Sequence, residues 1–136
     1  GSEVNSVFAT TINKEDKSIP DEDNVNIVLN YANGSTATIS YYAYGDNSMP
    51  KEYVEEFSSG VSMQMNAFRE LTIFKGGKSS KEKSANQDKG FVNEFKAFKE
   101  AVKSGNEAID MKSIYNTTKT TFKILESIRS KSLVEV

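Results

Sequence analysis

The chain has 136 residues, 37% of them apolar and 26% charged, so it can form one domain that buries roughly two-thirds of its unfolded surface. It has no cysteine and no histidine, which excludes disulfides, thiol nucleophiles and thiolate metal sites and removes the commonest general base and metal ligand. A formal net charge of -2 and the lack of an apolar run of membrane-spanning length argue against nucleic acid and membranes as partners, and a cytoplasmic setting is the expectation.

Gly1-Ser2 reads as a scar of tag removal, so a native amino terminus, a signal or a preceding domain could have been cut away before it. Residues 4–11 are a plausible first strand, followed by an acidic, polar loop over 13–24. The alternation of Val25, Ile27, Leu29 and Tyr31 with Asn26 and Asn30, and of Ala37, Ile39, Tyr41 and Ala43 with Thr38 and Ser40, predicts a hairpin. A two-residue turn on Asn33-Gly34 would set Ile27 against Ser40 and mix the faces. A three-residue loop of Ala32, Asn33 and Gly34, with Gly34 left-handed in a bulge, instead pairs Ile27 with Ile39 and Leu29 with Ala37. After a loop at 45–50 come short strands at 53–57, 61–65, 71–74 and 78–84, the last two joined at Gly76-Gly77.

The period then changes. Phe91, Phe95, Phe98 and Val102 draw an apolar stripe along a helix from about 87 to 104, ended by Gly105. Asp110 is placed to cap a second helix with Met111, Ile114, Tyr115, Thr118, Phe122, Leu125 and Ile128 as its buried face, and residues 133–136 suit a final edge strand. Strands followed by helices predict an α+β fold, an open and mostly antiparallel sheet with two long helices packed on one face.

A dinucleotide site needs a glycine-rich turn from strand to helix, and no such turn is present: Gly60, Gly76 and Gly77 sit between strands. Glu55 and Glu56 are adjacent and so point to opposite faces. The acidic run Asp21, Glu22 and Asp23 lacks the ligand spacing of a calcium loop. The lysines at 75, 78, 81 and 83 read as a solvated hairpin. Two clusters could touch a ligand: Tyr41, Tyr42, Tyr44, Gly45, Asp46, Pro50 and Lys51, where a strand ends in a polar loop, and Gln87, Asp88, Lys89 and Gly90, at the amino end of the first helix. Asp88 serves equally as a helix cap.

The pieces Asn24 to Leu29, Asn33-Gly34-Ser35, Tyr41 to Asp46, Pro50-Lys51-Glu52, Asn66 with Phe68 and Leu71, Gln87 to Gly90, and Glu94 to Phe98 carry a likeness through their order and spacing. From about residue 3 to residue 136 the chain resembles the carboxy-terminal domain of the glucose-fructose oxidoreductase, inositol dehydrogenase and rhizopine-catabolism family. That resemblance implies a missing amino-terminal Rossmann domain holding NAD or NADP, and a sugar, inositol or nucleotide-linked sugar as substrate between the two domains. It also implies a homodimer through the open sheet face. The family's glycine-rich motif, its catalytic lysine and its aspartate-histidine helix map to nothing in this chain, so no catalytic or cofactor-binding residue and no metal ligand is assigned. What carries over is substrate contact near Lys51, Asp88 and Lys89. Where relatives of this branch often have a histidine after the equivalent of Gly90, this chain has Phe91. The alternative is a non-catalytic ligand-binding or assembly module of the same shape.

Overall fold

The structure is a computed structural model that describes residues 2–12 and 20–136. Its elements are β1 (Val4–Thr11), β2 (Asn24–Tyr31), β3 (Thr36–Tyr42), β4 (Tyr53–Ser58), β5 (Val61–Asn66), β6 (Glu70–Lys75), β7 (Lys78–Lys83), α1 (Phe91–Ser104), α2 (Met111–Ser130) and β8 (Val134–Glu135). The fold is α+β and every strand pair is antiparallel. Hydrogen bonding divides the strands into two four-stranded sheets, ordered β3-β2-β1-β8 and β4-β5-β6-β7. They belong to two compact units, residues 1–44 with 101–136, and residues 45–100. Most of the predicted acidic loop, 13–19, lies outside the described residues; a short 3-10 turn at Asp21–Asp23 leads into β2.

In the first unit, Ile27 lies opposite Ile39 and Leu29 opposite Ala37, as the segregation of faces requires. The loop is the three-residue form: the Gly34 amide donates to the Tyr31 carbonyl, the Tyr31 amide to the Ser35 carbonyl, and Gly34 has φ of 84°. A side chain at that φ is strained, which is why glycine closes the loop. In β1 an extra residue at Asn5 shifts the register between Val4 and Ser6. The shift turns Val4 to the same face as Val7 and Ala9, where these three join Val25, Ile27, Leu29 and Val134 in the buried core.

α2 covers this core, capped by Asp110, whose carboxylate accepts from the Ser113 amide at 3.0 Å, and closed by a left-handed Lys131. The face it buries is only in part the predicted one: Ile128 packs against the core and Leu125 is half-buried, as expected, but the rest of the predicted face is not. Thr120 and Ser127 are buried, and Asn116, Ile124 and Ile128 are half-buried beside them. Met111, Ile114, Tyr115 and Phe122 are exposed. At 3.6 residues per turn the two sets lie on roughly opposite sides of the helix. Small polar side chains face inward because they hydrogen-bond the edge of β1. The Ala9 amide donates to Ser127 Oγ, and the Val4 amide donates to Asn116 Oδ1. The aromatic stripe of α1 is likewise uncovered, Phe95 being 73% exposed, where burial in a core was expected. An apolar stripe stays in water when no described residue packs over it.

In the second unit, register places Val54, Met63, Met65, Leu71 and Ile73 on one face of the sheet and Tyr53, Glu55, Gln64, Thr72 and Lys81 on the other. Glu55 and Glu56 therefore do point to opposite faces. Two of the hairpins close at one end of this sheet, at Ser59-Gly60 and Gly76-Gly77, and the third closes at the other end, at residues 67–69.

Candidate functional site

The predicted substrate contacts Lys51, Asp88 and Lys89 all belong to the second unit. One row of the sheet aligns Tyr53, Asn66, Glu70 and Lys83 across all four strands. Lys51 precedes β4 and Asp88 and Lys89 follow β7, so the two segments join this end of the sheet at its two opposite edge strands. All three side chains are exposed. Asp88 makes a short-range turn, its Oδ1 accepting from the Gly90 amide at 2.8 Å, and the Gly90 carbonyl accepts the Glu94 amide in the first bond of α1. Asp88 is thus fixed at the start of the helix with Lys89 between it and Gly90.

Between these segments lies a turn whose Asn66 and Phe68 entered the sequence reading only as pieces of the resemblance, not as a turn or a ligand contact. Ala67 and Phe68 both adopt left-handed backbone, φ of 51° and 52°. A residue with a β-carbon pays roughly 1–2 kcal/mol for that conformation, and neither residue is glycine. The turn is nonetheless held at every amide: Ala67 donates to the Glu52 carbonyl at 2.8 Å, Phe68 to Met65 Sδ at 3.1 Å, and Arg69 to the Asn66 carbonyl at 3.0 Å. The Arg69 carbonyl accepts the Ser84 amide at 2.8 Å. The turn is therefore pinned to the residue after Lys51 on one side and to the segment leading to Asp88 on the other. Sequence offered only a weak signal for it, since Asn66-Ala67-Phe68-Arg69 contains no glycine or proline.

The first predicted cluster divides between the units. Tyr41, Tyr42 and Tyr44 belong to the first, where the Tyr42 hydroxyl donates to Asn26 Oδ1 at 2.6 Å and the Tyr44 amide is held by the buried Asn24. Asp46, in the second, accepts from the Ser48 hydroxyl and amide, which hold its carboxyl below the usual range. On the polar sheet face the Tyr53 hydroxyl and Gln64 lower the Glu55 carboxyl, and Glu55 in turn raises the Tyr53 phenol. Lys81 and Lys83 both pair with Glu70 and lower its carboxyl, which accounts for two of the hairpin lysines.

In the first unit a cleft of about 480 Å³ opens between the sheet and α2, lined by Leu29, Tyr31, Ile39, Asn116, Thr120 and Ile124. It holds none of the predicted contacts. Among the described residues no cluster of His, Cys, Asp and Glu could hold a metal, and no helix is long and apolar enough to cross a membrane. Among the described residues, Gly60, Gly76 and Gly77 close antiparallel hairpins and Gly90 precedes α1, none of them in a turn from a strand directly into a helix.

No family model and no curated protein matches the chain. Solved structures do match. The aldose-aldose oxidoreductase of Caulobacter crescentus, crystallised with glycerol, superposes with a TM-score of 0.77 at 18% identity, over 99% of this chain and 42% of that one. An oxidoreductase of Thermotoga maritima gives 0.76 at 11% identity, over 99% and 41%. An oxidoreductase of Agrobacterium radiobacter, in complex with NAD+, L-tartaric acid and magnesium, gives 0.72 at 15% identity, over 98% and 43%. The chain spans about two-fifths of the length of these structures, and its fold is the one that part of each oxidoreductase adopts.

Proposed function

We infer that this chain is the substrate-domain part of an NAD- or NADP-dependent oxidoreductase acting on a sugar, an inositol or a nucleotide-linked sugar, and that it is inactive alone. The observation that carries the reading is the match of nearly the whole chain to about two-fifths of three oxidoreductases, one of them acting on aldoses and one holding NAD+. The uncovered apolar stripes of α1 and α2 support it, because a second domain of the same polypeptide would bury them. On this reading the missing amino-terminal Rossmann domain holds the cofactor, which supplies the hydride chemistry. Residues of this chain bind and orient the substrate. The Lys51 and Lys89 ammonium groups donate to hydroxyl or phosphate oxygens, and the Asp88 carboxylate, fixed by the Gly90 amide, accepts from a sugar hydroxyl. The setting is cytoplasmic.

The outer face of the first sheet supports a homodimer. It combines Phe8, Val28 and Tyr42 with Asn26, Asn30, Thr38 and Ser40, an exposed surface with apolar patches among hydrogen-bonding groups.

Titration with NADH and NADPH tests the assignment of the cofactor. The isolated chain should show no saturable binding, whereas the polypeptide translated from the full reading frame should bind one of the two and reduce or oxidise it in the presence of a sugar. Tight binding by the isolated chain, or none by the longer one, would contradict the reading.

A further inference from the structure

We propose that the cleft between α2 and the sheet of the first unit is the seat of an amphipathic helix, formed by the residues that immediately precede Glu3 in the polypeptide and running antiparallel to α2. The proposal rests on the function inferred above, which supplies the preceding residues, and goes beyond it by naming the segment and the surface that receives it.

Strands lie about 4.8 Å apart and a helix is about 10 Å across, so one helix covers about two strands of a four-stranded sheet. α2 packs on β1 and β8. On the same face β3 presents Ile39 and Tyr41, 45% and 58% exposed, opposite the buried Ile27 and Val25. The cleft of about 480 Å³ lies over this half of the face, with Leu29 and Ile39 on its sheet side and Ser113, Thr117, Thr121 and Ile124 on its helix side. Residues 113, 117 and 121 are four apart and small, so they form one row of α2 that a neighbouring helix can approach closely. Polar groups on this flank are already bonded within the fold. The Thr121 hydroxyl donates to the Thr118 carbonyl and the Thr120 hydroxyl to the Asn116 carbonyl, both at 2.7 Å, and the Asn116 amide bonds Val4 through both its oxygen and its nitrogen. Methyl groups and aliphatic strand side chains remain to be covered, which suits the apolar stripe of a helix better than a polar ligand. An added strand would instead pair along β3, the edge of this sheet, and leave the face bare.

The entry of the chain identifies the segment. Ser2 and Glu3 themselves line the cleft. They are tied there: the Asn33 amide donates to Ser2 Oγ at 3.0 Å, the Ala32 amide donates to the Glu3 carbonyl at 2.9 Å, and the Glu3 carboxylate pairs with Lys112 at 2.6 Å. Asn116 bonds Val4 and Ser127 bonds Ala9, so α2 runs in the direction of β1. A helix that leads from the cleft into β1 therefore runs against α2. The row from Ser113 to Ile124 rises about 16 Å, so a helix of similar length and a short connection fit within about 20 residues before Glu3.

The test uses the polypeptide of the full reading frame. Benzophenone-maleimide attached at Thr117→Cys and illuminated should cross-link to a peptide within the segment of about 20 residues before Glu3, read by mass spectrometry after digestion. Ile39→Cys checks the opposite wall without a bulky label. It should react with a thiol reagent at least tenfold more slowly in the full polypeptide than in the isolated chain, and two prolines placed in the middle of the preceding segment should restore the fast rate. A cross-link to residues farther upstream or to a second copy, no cross-link at all, or equal Ile39→Cys rates in the two proteins would each overturn the proposal. Binding of NADH or NADPH by the same polypeptide reports separately on the functional reading. With the cross-link in place and no nicotinamide bound, the helix stands and the oxidoreductase assignment fails; with nicotinamide bound and the cross-link elsewhere, the reverse holds.

Discussion

Ser127 on α2 and Ala9 on β1 are joined through a 2.9 Å hydrogen bond from the Ala9 amide to Ser127 Oγ, and the same hydroxyl donates to the Ser132 carbonyl at 2.6 Å. Asn116 makes the companion contact with Val4, its Oδ1 accepting and its Nδ2 donating. Eleven residues of helix rise about 16 Å, and the five residues of strand between Val4 and Ala9 cover a similar length, so one helix face can bond the strand edge at both ends. β8 is too short to pair with β1 beyond Ser6 and Val7, which leaves the Ala9 amide for the helix to satisfy.

Replacing Ser127 by alanine removes the partner of the buried Ala9 amide and of the part-buried Ser132 carbonyl. We expect a loss of about 1–3 kcal/mol in urea unfolding, against a near-zero effect for Ser130→Ala on the same helix. Equal effects at the two positions would show that the hydroxyl of Ser127 has no special role.

Glu70 should titrate below an ordinary glutamate because Lys81 and Lys83 favour its charged form. A carboxyl lowered on folding stabilises the fold above its unfolded pKa, and that stabilisation is lost as pH falls through its folded value. The pairs are exposed, so salt should weaken them. Carbon-13 NMR of the Glu70 carboxyl should give a lowered titration midpoint that returns toward the ordinary glutamate value in Lys81→Gln/Lys83→Gln. An unshifted midpoint at low ionic strength would contradict the pairing.

The strands along the chain and the first hairpin's register were legible in the sequence, the register because one face of that hairpin is buried and only one pairing puts Val25, Ile27 and Leu29 there together; the division into two sheets and the pairing of β8 with β1 were not. The buried face of α2 was legible only at its carboxyl end, at Leu125 and Ile128. Hydrophobicity pointed to Met111, Tyr115 and Phe122, whereas the face against the sheet includes Asn116 and Ser127, which hydrogen-bond the edge of β1, and Thr120, whose hydroxyl donates to the Asn116 carbonyl of the helix itself, contacts that periodicity cannot see. At the candidate site Lys51, Asp88 and Lys89 were named from sequence, and the register carries the strands beside them, β4 and β7, to opposite edges of one sheet. The Ala67-Phe68 turn escaped because its residues carry no turn chemistry, the backbone being imposed by Glu52, Asn66 and Ser84.

The homodimer predicts a sedimenting species of twice 15.1 kDa at high protein concentration. Tyr42→Lys/Tyr44→Lys should return it to the single mass without unfolding it. A monomer at every concentration, or a dimer indifferent to these changes, would remove the outer face of the first sheet from the account.

The chain has no cysteine, so single cysteines introduced on the outward helix faces report their cover directly. In the isolated chain Phe95→Cys and Tyr115→Cys should react with a thiol reagent as fast as an exposed thiol does, since the native residues are 73% and 67% exposed. In the polypeptide of the full reading frame both should react at least tenfold more slowly if, as proposed, an amino-terminal domain covers the stripes. Equal rates in the two proteins would contradict the assignment of this chain as one half of a two-domain oxidoreductase.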